Sequence, residues 1–319
     1  MPVRTGAGGS HGYFSHAQAC LQQREPILTL HPINPYTDTP NGLWLRQLEW
    51  RHHRRRRRNH HHRVVAVSGD DPKVVVVSGN IKQTADQARV GSNTSIIGKD
   101  ANAVLEGFGV LVKEKENVII QNLGIKKVLA DNGDAIGVQY SNNVWIDHCD
   151  VSSDMDHDKD YYDGLIDLTH AADYVTVSNC YIHDHWKASL VGHSDSNGDE
   201  DTGHLRVTYA NNHWANINSR GPSLRFGTGH IYNSYYENVS DAINTRQGAQ
   251  VLVESNQFVG VKKPLYSTDG GYAVARDNDF GDGENAAPAG TLTSVPYDYE
   301  LVGADGVKAA VVGVAGQTL

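Results

Sequence analysis

The chain has 319 residues, enough for one large domain with a sizeable core, and a formal net charge of −9. That charge is unevenly spread: residues 51–63 carry seven arginines, which leaves 16 excess negative charges on the residues from 64 onward. Such a body argues against nucleic acid as its partner, and an anionic ligand would need local positive charge or a bridging cation.

Three cysteines, Cys20, Cys149 and Cys180, are too few for a disulfide framework. No apolar run reaches the roughly 18 residues of a membrane helix, and Met1 to Ser10 lacks the apolar core of a secretory signal. Residues 51–63 read Arg-His-His-Arg-Arg-Arg-Arg-Arg-Asn-His-His-His-Arg. This low-complexity run fits an arm for an anionic surface, or a solvated tail. A third reading fits better. Codons of the type CGG-CAC-CAC-CGG-CGG, read one base out of frame, give Gly-Thr-Thr-Gly-Gly, and the same shift can turn Leu43 to Trp50 into Tyr-Gly-Tyr-Ala-Ser-Ser-Asn-Gly. Residues 1–63 are therefore expected to be an atypical, disordered segment of out-of-frame or intron-derived translation, and residues 64–319 the folded domain. Sequencing the transcript tests this.

From residue 64 the texture changes to short β-rich runs punctuated by Gly, Asn and Asp, such as Lys73–Ser78, Ser95–Gly98 and Gly109–Lys113. Several runs align. Val118–Ile125, Val144–Val151, Val175–Ile182 and Val207–Trp214 share an alternating apolar start, a polar corner and a second apolar pair; His230–Tyr236 and Val251–Phe258 continue the pattern more loosely. The corners fall at Asn122, His148, Asn179, Asn211, Ser234 and Ser255, at intervals of 26, 31, 32, 23 and 21 residues. A period of this length built from strands predicts an all-β fold, a β-solenoid whose rungs stack about 4.8 Å apart. Cys149 and Cys180 share one repeat position, which predicts a buried ladder of small side chains in preference to a bridge. The two longest intervals send extra chain into loops on one side, where solenoids build binding faces. His148, His183 and His185 suggest acid–base work, but His148 sits at a stacked corner and reads as a structural ladder member.

The carboxylates collect in those long coils. Asp163 and Asp167 are four apart, an even offset that puts both on one face of a strand, and Asp134 lies one coil earlier. Three carboxylates on neighbouring rungs repel one another unless a hard cation neutralises them, and Ca²⁺ accepts about 6 to 8 oxygens in irregular geometry. The run Asp154–Asp160 fails as a helix-loop-helix calcium loop, because Lys159 stands where Gly is required and Leu165 where Glu is required. It reads as a solvated loop. Further along, Arg220 and Arg225 bracket Gly221-Pro222. Side chains five residues apart share a face in neither a strand nor a helix, so a turn shaped by the Gly-Pro pair must re-aim one of them for both to serve one site. Taken by itself, the pattern fits an ordinary surface turn better.

With Val144-Trp-Ile-Asp-His148, Asp163-Gly-Leu-Ile-Asp167, Val175-Thr-Val-Ser178 and Arg220-x-Pro-x-x-Arg225, the sequence resembles the fungal extracellular pectate lyases of the calcium-dependent polysaccharide lyase class. The likeness runs from about Val67 to the C terminus, through Ser78-Gly-x-Ile81 and Gly98-Lys-Asp-Ala, and the first sixty residues depart from it. The resemblance implies a right-handed parallel β-helix, secreted and monomeric, that cleaves de-esterified homogalacturonan by Ca²⁺-dependent β-elimination, with no membrane partner. It implies that Asp134, Asp163 and Asp167 ligate calcium, that Lys187 and Arg225 hold the substrate carboxylate, and that Arg220 is the general base. Asn132 stands where some members carry a further aspartate. A guanidinium normally keeps its proton above about pH 12, so a basic Arg220 demands concentrated positive charge and an alkaline medium. Three alternatives remain at this stage. A polygalacturonase would use the carboxylates as acid and base and leave the arginines unexplained; a pectin lyase needs no metal; a β-helical polysaccharide-binding protein would not turn over at all. The segment Tyr272–Leu319 is expected to pack along the solenoid.

Overall fold

A computed structural model describes residues 67–319; the expectations for residues 1–63 lie outside the described residues. Those described wind into three sheets of nine, eight and nine strands. One turn of the coil takes Asn142–Asp147 in the first sheet, Asp150–Ser152 in the second and Ile166–Thr169 in the third. The next takes Asp173–Ser178, Tyr181–Lys187 and Leu190–Val191 in the same order. Neighbouring strands pair in parallel, Val144 beside Val118 and Val175, Ile146 beside Ile120 and Val177. The chain is a parallel β-helix.

The corner between the first and second sheets explains the sequence repeat. Its leading residue turns the chain through the left-handed region at Asn122, His148, Asn179, Asn211, Asn233 and Ser255, with φ between 49° and 56°. Asparagine tolerates that conformation best among residues with a side chain, which is why it recurs there. The fifth corner is Asn233, one residue before the Ser234 read from sequence, because Ala210 pairs with Tyr232. The residue after each corner, Leu123, Cys149, Cys180, Asn212, Ser234 or Asn256, points inward and is fully buried. These inward side chains capture the backbone of the preceding coil. Cys180 N–H donates to Asn212 Oδ1 at 2.8 Å, Asn212 N–H to Ser234 Oγ at 3.2 Å, Ser234 N–H to Asn256 Oδ1 at 2.9 Å and Asn256 N–H to Asn278 Oδ1 at 3.0 Å. Cys149 and Cys180 are free and buried, members of this ladder, as their shared repeat position predicted.

His148 is structural, as expected. It hydrogen-bonds Asp147, which also receives Gln121 Nε2, Ser178 Oγ and Asn179 Nδ2. Burial alone would raise the Asp147 carboxyl, yet these four partners hold it below its ordinary value. Inside, like residues stack: Trp214, Tyr236, Phe258 and Phe280 form an aromatic column with ring separations of 5.6, 4.5 and 5.4 Å. Burying one such ring stabilises the fold by roughly 1.5–3 kcal/mol. The C-terminal tail packs back along the coils. Helix Ala304–Val311 lays Val307 and Val311 against Tyr235, and Gln317 Nε2 reaches the carbonyls of Ala103 and Asn122.

Candidate active site

The site lies where the second sheet turns into the third, and four successive coils contribute to it. Lys187 ends strand Tyr181–Lys187 and pairs with Ser219, the last residue of strand His213–Ser219. Arg220 follows with φ 65°, an uncommon conformation for a residue with a side chain. After the cis Gly221-Pro222 bond, the third-sheet strand Ser223–Arg225 begins. A Cβ on Gly221 would stand 3.3 Å from Ala242 Cα, so glycine also permits close coil stacking here.

Asp134, Asp163 and Asp167 gather around Gly164. Gly164 N–H donates to Asp134 Oδ1 at 3.0 Å, and a Cβ on Gly164 would collide with the Asp167 carboxyl at 2.3 Å. Only the bare glycine fits between them. Asp167 lies in the third-sheet strand beside Gly137, and its Oδ1 accepts Leu190 N–H at 3.0 Å. Asp163 differs from the sequence expectation. It precedes the strand Ile166–Thr169, so the even spacing does not set its direction. Its backbone is held by a side chain from the next coil: His185, fully buried, lies 2.6 Å through Nε2 from the Asp163 carbonyl and bonds Ser153 through Nδ1.

The electrostatics mark this corner. Burial, followed by the charges of Asp167 and Asp163, pushes the Asp134 carboxyl well above the usual carboxylate range. Burial pushes Asp167 up to about 7, against the attraction of Arg220. Both shifts favour the uncharged acids, so a bound cation would have to offset the cost of burying the ionised carboxylates. Burial moves His185 the other way, down to about 4, and keeps its ring neutral.

The cations have different neighbours. Lys187 Nζ lies 3.0 Å from Asp160 and 3.6 Å from Asp163. Arg225 is buried, with Nε 2.5 Å from Asp195 and Nη1 donating to the Gly192 carbonyl at 3.1 Å. Asp195 also pairs with Arg246 at 2.9 Å. Arg220 is half-buried and makes no ion pair within 4.0 Å among the described residues; it acts at longer range on Asp134, Asp167 and Asp160.

The sequence pattern of the family described as pectate lyase matches residues 58–317. The chain belongs to the pectate lyase family. Over 247 residues this lyase is 81% identical to the probable pectate lyase A of Neosartorya fischeri, covering 77% of each chain, and 81% identical to pectate lyase A of Aspergillus niger, covering 77% and 76%. Among solved structures it is similar to a pectate lyase from Bacillus sp. N165 in complex with trigalacturonate, with a TM-score of 0.70, 33% identity and coverage of 77% of this chain and 86% of that one. The protein is accordingly a polysaccharide lyase, which sets aside a hydrolase or a purely binding β-helix.

The donor set of the lyase fits a hard cation. All three candidate ligands are carboxylates; Asp167 is buried and Asp134 half-buried, and each of these two spends Oδ1 on a backbone N–H. They do not close a cage by themselves: among the described residues no three His, Cys, Asp or Glu side chains converge at metal-holding geometry. Asn132 leaves its Nδ2 buried without a partner among the described residues. The sequence reading left out Asp195, took Asp160 only as part of a solvated run, and did not foresee the contacts of His185. Only His185 carried a signal, its position two residues before Lys187.

Proposed function

We propose that this corner cleaves de-esterified homogalacturonan by β-elimination with calcium held by Asp134, Asp163 and Asp167. The observation that carries the reading is the pair of carboxylates Asp134, half-buried, and Asp167, buried, both pushed above the usual carboxylate range, beside an arginine that has no ion-pair partner within 4.0 Å among the described residues. Lys187 and Arg225 hold the substrate's uronate groups, each by exchanging a loop aspartate for a substrate carboxylate. Bound calcium would supply Lewis-acid withdrawal of charge from the uronate carboxylate, which acidifies the neighbouring C5–H.

Arg220, as the base, takes the C5 proton; the electron pair left behind forms the C4–C5 double bond as the C4–O bond breaks, and the leaving oxygen keeps that bond's pair and takes a proton from solvent water to become a hydroxyl. The guanidinium must first be neutral. The carboxylates of Asp134, Asp167 and Asp160 attract its positive charge, and that attraction is cancelled only when they are themselves neutralised. Proton abstraction and calcium loading are coupled on this reading. A substrate too large to cross a membrane also makes the enzyme extracellular, and the coil binds it as a monomer. Among the described residues no helix is long and apolar enough to cross a membrane.

The test is the ultraviolet absorbance of the unsaturated product formed from polygalacturonate, with and without EGTA. Calcium-dependent absorbance is expected. Chelator-resistant absorbance on methylated pectin would indicate a pectin lyase and overturn the metal assignment.

A further inference from the structure

The connection from strand Asp150–Ser152 to strand Ile166–Thr169 holds the aspartate-rich run 154–160 and ends beside Asp163. Both of its ends meet at one buried side chain. His185, only 1% exposed, sits one coil further on and bonds Ser153 at the start of the connection and the Asp163 carbonyl at its close, the latter at 2.6 Å. A carbonyl oxygen can only accept, so Nε2 carries the hydrogen. Nδ1 then holds a lone pair and accepts the Ser153 hydroxyl. The ring is a neutral clamp whose two nitrogens have separate tasks.

The clamp reaches all three candidate ligands. Fixing the Asp163 backbone fixes Gly164 next to it. Gly164 in turn donates its N–H to Asp134 at 3.0 Å, and its missing side chain makes the room that the Asp167 carboxyl occupies. A loop tied at both ends has already lost the freedom that an untied one would lose on gripping a cation. Carboxylates that repel one another are likewise kept from drifting apart.

We infer that His185 is the positioning residue of the calcium site: it staples the aspartate-rich loop at both ends and thereby sets calcium affinity, without touching the cation or the saccharide. This rests on the calcium reading proposed above. A histidine that merely fills the core would carry the same burial but no such link to metal affinity.

Calorimetry of calcium binding to the full-length protein, without saccharide, tests the inference. His185→Leu removes both bonds and is expected to weaken calcium binding about tenfold or more, the range typical of residues that orient metal ligands. His185→Gln, which can still donate to the Asp163 carbonyl, is expected to recover most of the affinity. Ser153→Ala loses half the clamp and serves if the leucine variant fails to fold; about a threefold loss is expected. The KM for polygalacturonate at saturating calcium should stay within about twofold in each. Unchanged calcium affinity in folded His185→Leu or Ser153→Ala, or a parallel collapse of affinity and saccharide KM, overturns the clamp alone. Failure of the wild type to bind calcium overturns the metal site as well.

Discussion

Lys187 stands beside Ser219 in adjacent strands of the second sheet, and this pairing delivers Arg220 to the corner at which the Lys187 strand ends. Both candidate carboxylate-binding cations are occupied by loop aspartates there, Asp160 on Lys187 and Asp195 on Arg225. On the proposed function, a substrate uronate would displace them. Asp160 is exposed, so Asp160→Asn should fold normally and lower the KM for polygalacturonate by up to about fivefold, the worth of an exposed ion pair. Lys187→Gln should raise KM about tenfold. Steady-state kinetics decide the matter, and a raised KM in Asp160→Asn would mean the aspartate assists the substrate.

Calcium should stabilise the fold as well as support turnover. At about 100 times its dissociation constant, a ligand that binds only the folded state adds roughly 2.7 kcal/mol, read as a higher thermal midpoint. In Asp134→Asn and Asp167→Asn that shift should shrink, and the calcium needed for half-maximal rate should rise about tenfold or more. An undiminished calcium shift in both variants would remove these aspartates from the metal site.

A pH dependence of stability comes from His230, away from this corner. It is buried, bonds Tyr297 and Glu254, and is pushed down to about 4 by burial, against the attraction of Glu254. The folded protein holds the ring neutral at pH values where the unfolded chain takes up a proton. Its contribution is complete above about pH 6.5 and is lost as pH falls towards about 4, amounting to about 3 kcal/mol at most. In His230→Gln the thermal midpoint should therefore fall less steeply over that window than in the wild type. Equal slopes would show that His230 does not carry the effect.

The polar ladder makes a separate prediction. Asn256 is fully buried; it accepts Ser234 N–H and donates to the carbonyls of Ile231 and Glu254. Asn256→Ala orphans these backbone groups and should cost about 2–4 kcal/mol. That lowers the thermal midpoint by roughly 5–10 °C at this chain length. A midpoint within about 2 °C of wild type would mean that water or a neighbour replaces the amide.

The solenoid was legible because each coil repeats the same demands: a left-handed corner, an inward small residue and alternating apolar positions. Asn122, His148, Asn179 and Asn211 were readable as one series on that ground. The series slipped at Ser234 because two polar residues, Asn233 and Ser234, stand side by side, and only strand pairing shows which one turns the chain. The corner of the site was half legible. Asp167 and Arg225 lie in strands, where position along the chain fixes direction. Asp163 lies before a strand, and its backbone carbonyl is bound by His185, a contact across coils that spacing does not encode. Asp160 and Asp195 come from loops that belong to no repeat, so their pairing with Lys187 and Arg225 had no counterpart in the sequence pattern.

The central claim concerns Arg220, and turnover by Arg220→Lys on polygalacturonate with saturating calcium tests it most directly. The substitution keeps the positive charge but changes the base, so kcat should fall at least about 100- to 10,000-fold while KM stays within about threefold. The wild-type rate is expected to rise towards alkaline pH, and the residual rate of the variant is expected not to follow it. A variant that kept most of its kcat would show that the proton leaves C5 for some group other than Arg220.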